Sequence, residues 1–265
     1  VSLRVVVIGL LAATLCACGQ GEADDAWKGD APKVAADPAA EAGYLKPPAL
    51  TAIEPGLGGG ALLRGTAAAG AMVRLGSPTG QALTTTADPA GLWSLPLPPS
   101  PDVRLFSTSM MVGGRMVQSQ GYLVVTPDGR AVQLRSGASA EPVGLASDPP
   151  RLLTLDYDSD GAATIGGVAR AGTGVSLRID RAARGAGKSD GRGRFHMVID
   201  RPLSGGQHLF EVSGETGEQR MIIPLSMAGD LTSVYRATPV GPHWRIDWVT
   251  PGGGIQTTMI LGPGA

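Results

Sequence analysis

The sequence predicts an all-β chain: two tandem β-sandwich modules, with a signal segment and a tether before them and a C-terminal β-hairpin after them. Three observations carry this expectation. Forty Gly and 21 Pro are scattered among Val, Leu, Ile and Thr over 265 residues, the composition of many short strands and turns. Beyond the N-terminus, no amphipathic run is long enough for a helix. The chain also matches itself, ungapped, when shifted by 102 residues.

The first element is an address. Residues 1–17 carry one early positive charge, Arg4, and then an apolar run from Val5 to Leu15. That run is shorter than the ~20 residues a spanning helix needs and suits the core of a signal peptide. Leu15-Cys16-Ala17-Cys18 resembles the lipobox of bacterial lipoproteins, with Leu three residues before and small Ala just before the modified thiol. By that resemblance Cys18 is the lipidated first residue of the mature protein. Cys16 is the weaker candidate, because bulky Leu15 precedes it, and the plain alternative is an ordinary secretory signal. Gly19 stands where an inner-membrane lipoprotein typically has Asp, which points to the outer membrane.

Residues 18–48 read as a disordered tether rich in Ala, Pro and acidic side chains, too polar to offset the entropy of ordering. As a coil it would reach roughly 30 Å.

The repeat defines the next two elements, a sandwich over 49–145 and a second over 146–228. Gly65, Gly70, Val73 and Leu75 fall on Gly167, Gly172, Val175 and Leu177, and Asp88, Gly91 and Trp93 fall on Asp190, Gly193 and Phe195. Each copy reads as a strand, a Gly turn, an alternating strand, an Asp-x-x-Gly turn and a strand led by an aromatic residue. Trp93 and Phe195 are the expected core anchors. The alignment also disposes of a decoy. Ala182-x-x-x-x-Gly187-Lys188-Ser189 imitates a phosphate loop, but it lies over the strand Thr85-Thr86-Ala87 and no helix follows it, so no nucleotide is expected there.

The same stretches resemble the immunoglobulin-like repeats of bacterial envelope proteins. "LLRGTAAAGAMVRLGSPTGQALTTTADPAGLWSLPL" has their Gly-rich turn, Thr-rich strand and Gly-x-Trp, and "GVARAGTGVSLRID…SDGRGRFHMVI" is similar to such repeats in alphaproteobacteria. The resemblance spans roughly residues 57–225 and implies an immunoglobulin-like β-sandwich in each module. It implies a spacer or display role more than any chemistry. The first copy departs by a longer second half with room for an extra hairpin or two.

The last element, residues 229–265, alternates Trp244, Ile246 and Trp248 against Arg245, Asp247 and Val249 before "PGGG" and "IQTTMIL", a hairpin pattern. Two tryptophans on one face pack a core or stack on sugar rings.

Few residues suggest chemistry. Asp156, Asp158 and Asp160 with Gly161 open like a calcium loop, but position twelve is Gly167, so a strand entering a turn is the favoured reading. Seven arginines and one lysine lie between Arg170 and Arg201; a solvated sheet face balancing the acidic tether is the favoured reading, and Arg178, Arg192 and Arg194 are the candidates for meeting peptidoglycan carboxylates or lipopolysaccharide phosphates. His196, His208 and His243 form no ligand pair, and no nucleophile has a base beside it. Net charge is −1, so no field favours nucleic acid. The expectation is a non-enzymatic envelope lipoprotein, without cofactor or metal, held at the outer membrane on its periplasmic side. It would act as a structural or protein-interaction module. The alternative is a glycan- or peptidoglycan-binding module using Trp244, Trp248 and the basic face.

Overall fold

The computed structural model describes residues 43–56 and 60–262. The signal segment, Cys18 and nearly all of the tether lie outside the described residues. Every regular element described is a β-strand.

The first module contains β1 (Ala49–Pro55), β2 (Ala61–Thr66), β3 (Met72–Gly76), β4 (Ala82–Thr86), β5 (Leu92–Leu97), β6 (Arg104–Val112), β7 (Arg115–Gln118), β8 (Tyr122–Val125), β9 (Ala131–Leu134) and β10 (Glu141–Pro142). The second contains β11 (Arg151–Tyr157), β12 (Ala163–Val168), β13 (Gly174–Ile179), β14 (Ala182–Lys188), β15 (Arg194–Val198), β16 (Gly206–Gly214) and β17 (Gly217–Leu225). The C-terminal strands are β18 (Tyr235–Val240), β19 (His243–Val249) and β20 (Ile255–Ile260).

Seven strands of each module obey the 102-residue shift, β1–β7 against β11–β17, with β14 alone starting two residues early. Even a bulge recurs, between Leu50 and Ala52 and again between Leu152 and Thr154. In each module a three-stranded layer, β1-β2-β5 or β11-β12-β15, faces a layer ordered β4-β3-β6-β7 or β14-β13-β16-β17. This is the immunoglobulin-like sandwich of antiparallel strands with Greek-key connections.

Period-two alternation explains what fills it. Val73, Leu75, Trp93 and Leu95 point into the first core, and Val175, Leu177, Phe195 and Met197 into the second. Each aromatic anchor lies across from a glycine: Gly65 pairs with Trp93, and Gly167 with Phe195. A Cβ at Gly65 would sit 2.3 Å from the Trp93 ring, and one at Gly167 2.4 Å from Phe195, so only glycine lets the ring lie flat on the neighbouring backbone. The Asp-x-x-Gly turns match too. Oδ1 of Asp88 accepts from the amides of Ala90 and Leu92, and Oδ1 of Asp190 from those of Arg192 and Arg194. Gly91 and Gly193 supply the positive φ that closes each turn.

The copies diverge after β6. In the second module β17 pairs with β16 along its whole length. In the first, the equivalent strand breaks at Ser119–Gly121 into β7 and β8, and its register against β6 slips by two residues. β9 and β10 then extend the sheet beyond β8. The C-terminal hairpin β19–β20 forms as expected and is joined by β18. Its strands continue the second module's layer in the order β15-β12-β11-β20-β19-β18. Both additions, β8–β10 and β18–β20, lie where the modules meet.

Candidate functional site

The added strands build a third core between the modules. The alternation that sends Leu123 and Val125 into the first core sends Val124 outward, together with Leu105, Val132 and Leu134. From the other side, β19 and β20 offer Ile246, Trp248 and Ile260. Trp248 is fully buried, edge-on to Tyr122 of the first module at a ring separation of 6.0 Å. Its Nε1 donates to Oγ1 of Thr258 at 3.2 Å. Polar contacts surround this core: Tyr235 donates its hydroxyl to the Val103 carbonyl at 3.0 Å, Arg130 donates to the carbonyls of Ile260 and Pro242 at 3.2 Å each, and Arg194 pairs with Glu141. Leu45–Ala265 accordingly form one compact unit.

Asp156 is the polar hub of this face. Its Oδ2 accepts the Ala140 amide of the first module at 2.7 Å, while Oδ1 accepts from Thr258 at 2.5 Å and from Gln256 at 3.3 Å. Gln256 in turn accepts the Gly137 amide at 3.3 Å, and Thr154 donates to the Ala140 carbonyl at 3.1 Å. Burial raises the carboxyl pKa to about 6, against the downward pull of the hydrogen bonds from Thr258, Ala140, Gln256 and Ser139. On the other face of β19, Asp247 behaves oppositely. Burial pushes it up, but Arg236, Thr257 and Arg245 outweigh burial and hold its carboxyl below the usual range.

The Asp156 shift has a sign that can be measured. The folded chain holds this proton more tightly than the unfolded chain. The stabilisation is therefore complete below about pH 4 and is lost as pH rises through about 6. The gap from the ordinary carboxyl value corresponds to about 3 kcal/mol. Urea denaturation across this range should show wild type losing stability relative to Asp156→Asn as pH rises. A stability difference between the two that does not change with pH would refute the assignment.

The sequence candidates are dispersed. Asp156 points into the inter-module face, whereas Asp158 and Asp160 are exposed, so the three carboxylates do not converge. Asp158 instead caps a turn, accepting from the amides of Asp160 and Ala162. With Gly161 at positive φ it is a third Asp-x-x-Gly turn, a spacing already visible in the sequence but masked by its likeness to a calcium loop. Among the described residues, no group of three or more His, Cys, Asp or Glu side chains is placed to hold a metal. Trp248 has no surface to offer a sugar. Trp244 is half-buried beside a groove of about 830 Å³ lined by Tyr235, Pro239, Val103, Asp102 and Pro78. The arginines do not share a face: Arg178 projects from β13, Arg194 from β15 in the opposite layer, and Arg192 from a turn. Arg194 is further engaged by Asp190 and Glu141.

At the phosphate-loop imitation, Lys188 ends β14 in solvent and Ser189 is buried, donating to the Arg170 carbonyl at 2.5 Å; a turn and β15 follow. The histidines are far apart in role. His243 is buried and accepts the Gly262 amide, His208 bridges Asp180 and the Ser204 carbonyl, and His196 is exposed.

The chain matches no known protein family and no curated protein. Among solved structures it is similar to the BSP domain of a biofilm-associated protein, at 14% identity and a TM-score of 0.23, covering 63% of this chain and 28% of that one. The central fibronectin-III array of RIM-binding protein is similar at 13% identity and 0.26, covering 78% of this chain and 72% of that one. A Ca²⁺-stabilized adhesin of an ice-binding Antarctic bacterium is similar at 12% and 0.22, covering 82% and 66%. The chain thus spans little more than a quarter of the length of the biofilm protein.

Proposed function

We propose that this chain is a non-enzymatic lipoprotein of the cell envelope, anchored in the outer membrane through Cys18 and facing the periplasm. There its paired immunoglobulin-like modules act as one structural or protein-interaction element. The observation that carries this reading is the third core. Two sandwiches that could move independently on a linker are instead joined by buried apolar and hydrogen-bonded contacts. Such a joint suits a part that must hold a partner at a set distance and angle rather than one that opens and closes around a substrate. The lipid anchor is supported by Leu15-Cys16-Ala17-Cys18 at the end of an apolar run.

A glycan- or peptidoglycan-binding module is the second reading, favoured by the groove that Trp244 and Tyr235 line. With Trp248 buried, Trp244 is the one member of the pair that lines the groove.

The membrane fraction of cells should contain the protein, carrying acyl chains on Cys18. Cys18→Ser should move it to the soluble fraction, whereas Cys16→Ser should leave it anchored. Crosslinking in intact cells should trap a discrete envelope adduct that is lost in Cys18→Ser. Undiminished membrane retention of Cys18→Ser would refute the anchor, and the lack of any adduct from probes on every exposed face would refute the interaction role.

A further inference from the structure

Three of the eight methionines occupy one row on the outside of the first module. Met72 of β3 pairs with Met111 of β6, and Met111 pairs with Met116 of β7. They are 47%, 39% and 68% exposed. Alternation forces this orientation, because their neighbours Val73 and Met110 fill the core. Of the other five, Met110, Met197, Met221 and Met259 are buried and Met227 is half-buried against a core, so Met72, Met111 and Met116 are the exposed methionines of the chain.

The registers bring these side chains close together. The β6–β7 hairpin turns over Gly113-Gly114 directly after the Val112–Arg115 pair. Met111 and Met116 are therefore the next, non-hydrogen-bonded pair, for which Cα atoms lie about 4.5 Å apart, and Met72 and Met111 form the wider pair at about 5.5 Å. Arg74, two residues along the same face from Met72, leans the other way: the position of a Cβ on Gly76 is 2.8 Å from its Nη1. Thr86 closes the row beyond Met72, and Ser109 and Gln118 flank it.

We propose that Met72, Met111 and Met116 form a thioether site for a soft monovalent cation of the Cu(I) class. Thioether sulfur is uncharged and polarizable, a poor ligand for calcium, magnesium or protons and a good one for Cu(I). Each side chain is unbranched with three rotatable bonds, so the outer two can lean over Met111 and present three sulfurs to one point. No proton has to leave a thioether. Binding is therefore insensitive to pH between about 5 and about 7, unlike a histidine or thiolate site.

The test uses the full chain with Cys16 and Cys18 changed to Ser, because thiolates are stronger soft ligands. The methionine methyls are labelled with ¹³C and Ag(I) is added as the redox-stable probe. The expected result is that one equivalent shifts the three methyl signals of Met72, Met111 and Met116 and leaves the other five in place, equally at both pH values. Met111→Leu should weaken Ag(I) binding at least tenfold, with the buried methyl signals unmoved as proof that the fold is intact. Cu(I) competed against a chelator should follow the same order, and Zn(II) should shift nothing. Absence of shifts in the three signals, shifts spread over all eight, or unchanged affinity in Met111→Leu would each overturn the proposal.

Discussion

Truncating Trp93 or Phe195 to Ala is expected to lower stability by about 3–5 kcal/mol in each case, as for other large aromatic side chains removed from a packed core. Trp93 is 3% exposed and Phe195 1%, and each ring lies on the glycine opposite it, where no side chain exists to collapse into the space left behind. Trp93→Ala should be the larger loss. Its indole Nε1 donates to the Thr66 carbonyl at 3.1 Å, and truncation removes that bond as well as the ring. Chemical denaturation of the two variants measures both losses. A loss below about 1 kcal/mol at either position would mean that the two residues are not equivalent anchors.

Trp248→Ala is the second large effect, again about 3–5 kcal/mol. Here the consequence should also be visible in where the chain loosens. Trp248 packs edge-on to Tyr122, across the boundary between modules, and donates to Thr258, which itself donates to Asp156. Removing the ring opens a cavity in the third core and weakens the polar hub beside it. Amide hydrogen exchange should accelerate in β8 and β9 of the first module as well as in β19 and β20, with β2 and β12 little changed. Faster exchange confined to β19 and β20 would show that the ring supports only its own hairpin and does not join the modules.

Much of each sandwich was legible because its determinants are local or repeated. Asp88-x-x-Gly91 and Asp190-x-x-Gly193 specify their turns through hydrogen bonds within five residues. The 102-residue shift predicted that Trp93 and Phe195 would occupy equivalent places, and the phosphate-loop imitation was resolved by the same alignment as strand followed by turn. The break of β7 from β8 was legible only as extra length, since nothing in "VQSQGYL" states that the register slips by two residues there.

The candidate site was the less legible part. Alternation placed Trp244, Ile246 and Trp248 on one face of a strand, and that much is a property of the backbone, with its period of two residues. Whether that face meets water, a sugar or another sheet depends on residues more than 100 positions away, here Tyr122, Val124 and Val132. In the sequence Asp156 groups with Asp158 and Asp160, while its partners in the fold are Ala140, Gln256 and Thr258. Arg178 and Arg194 read as one basic stretch and project from opposite layers, because consecutive strands of a sandwich can cross between sheets. The all-β class, the duplicated module, its turns and its two aromatic anchors follow from short-range sterics and from a pattern stated twice in the chain. The packing of the unrepeated strands of the two modules on each other emerges only on folding, because burial of an apolar face is settled by the surface that covers it, and that surface lies elsewhere in the chain.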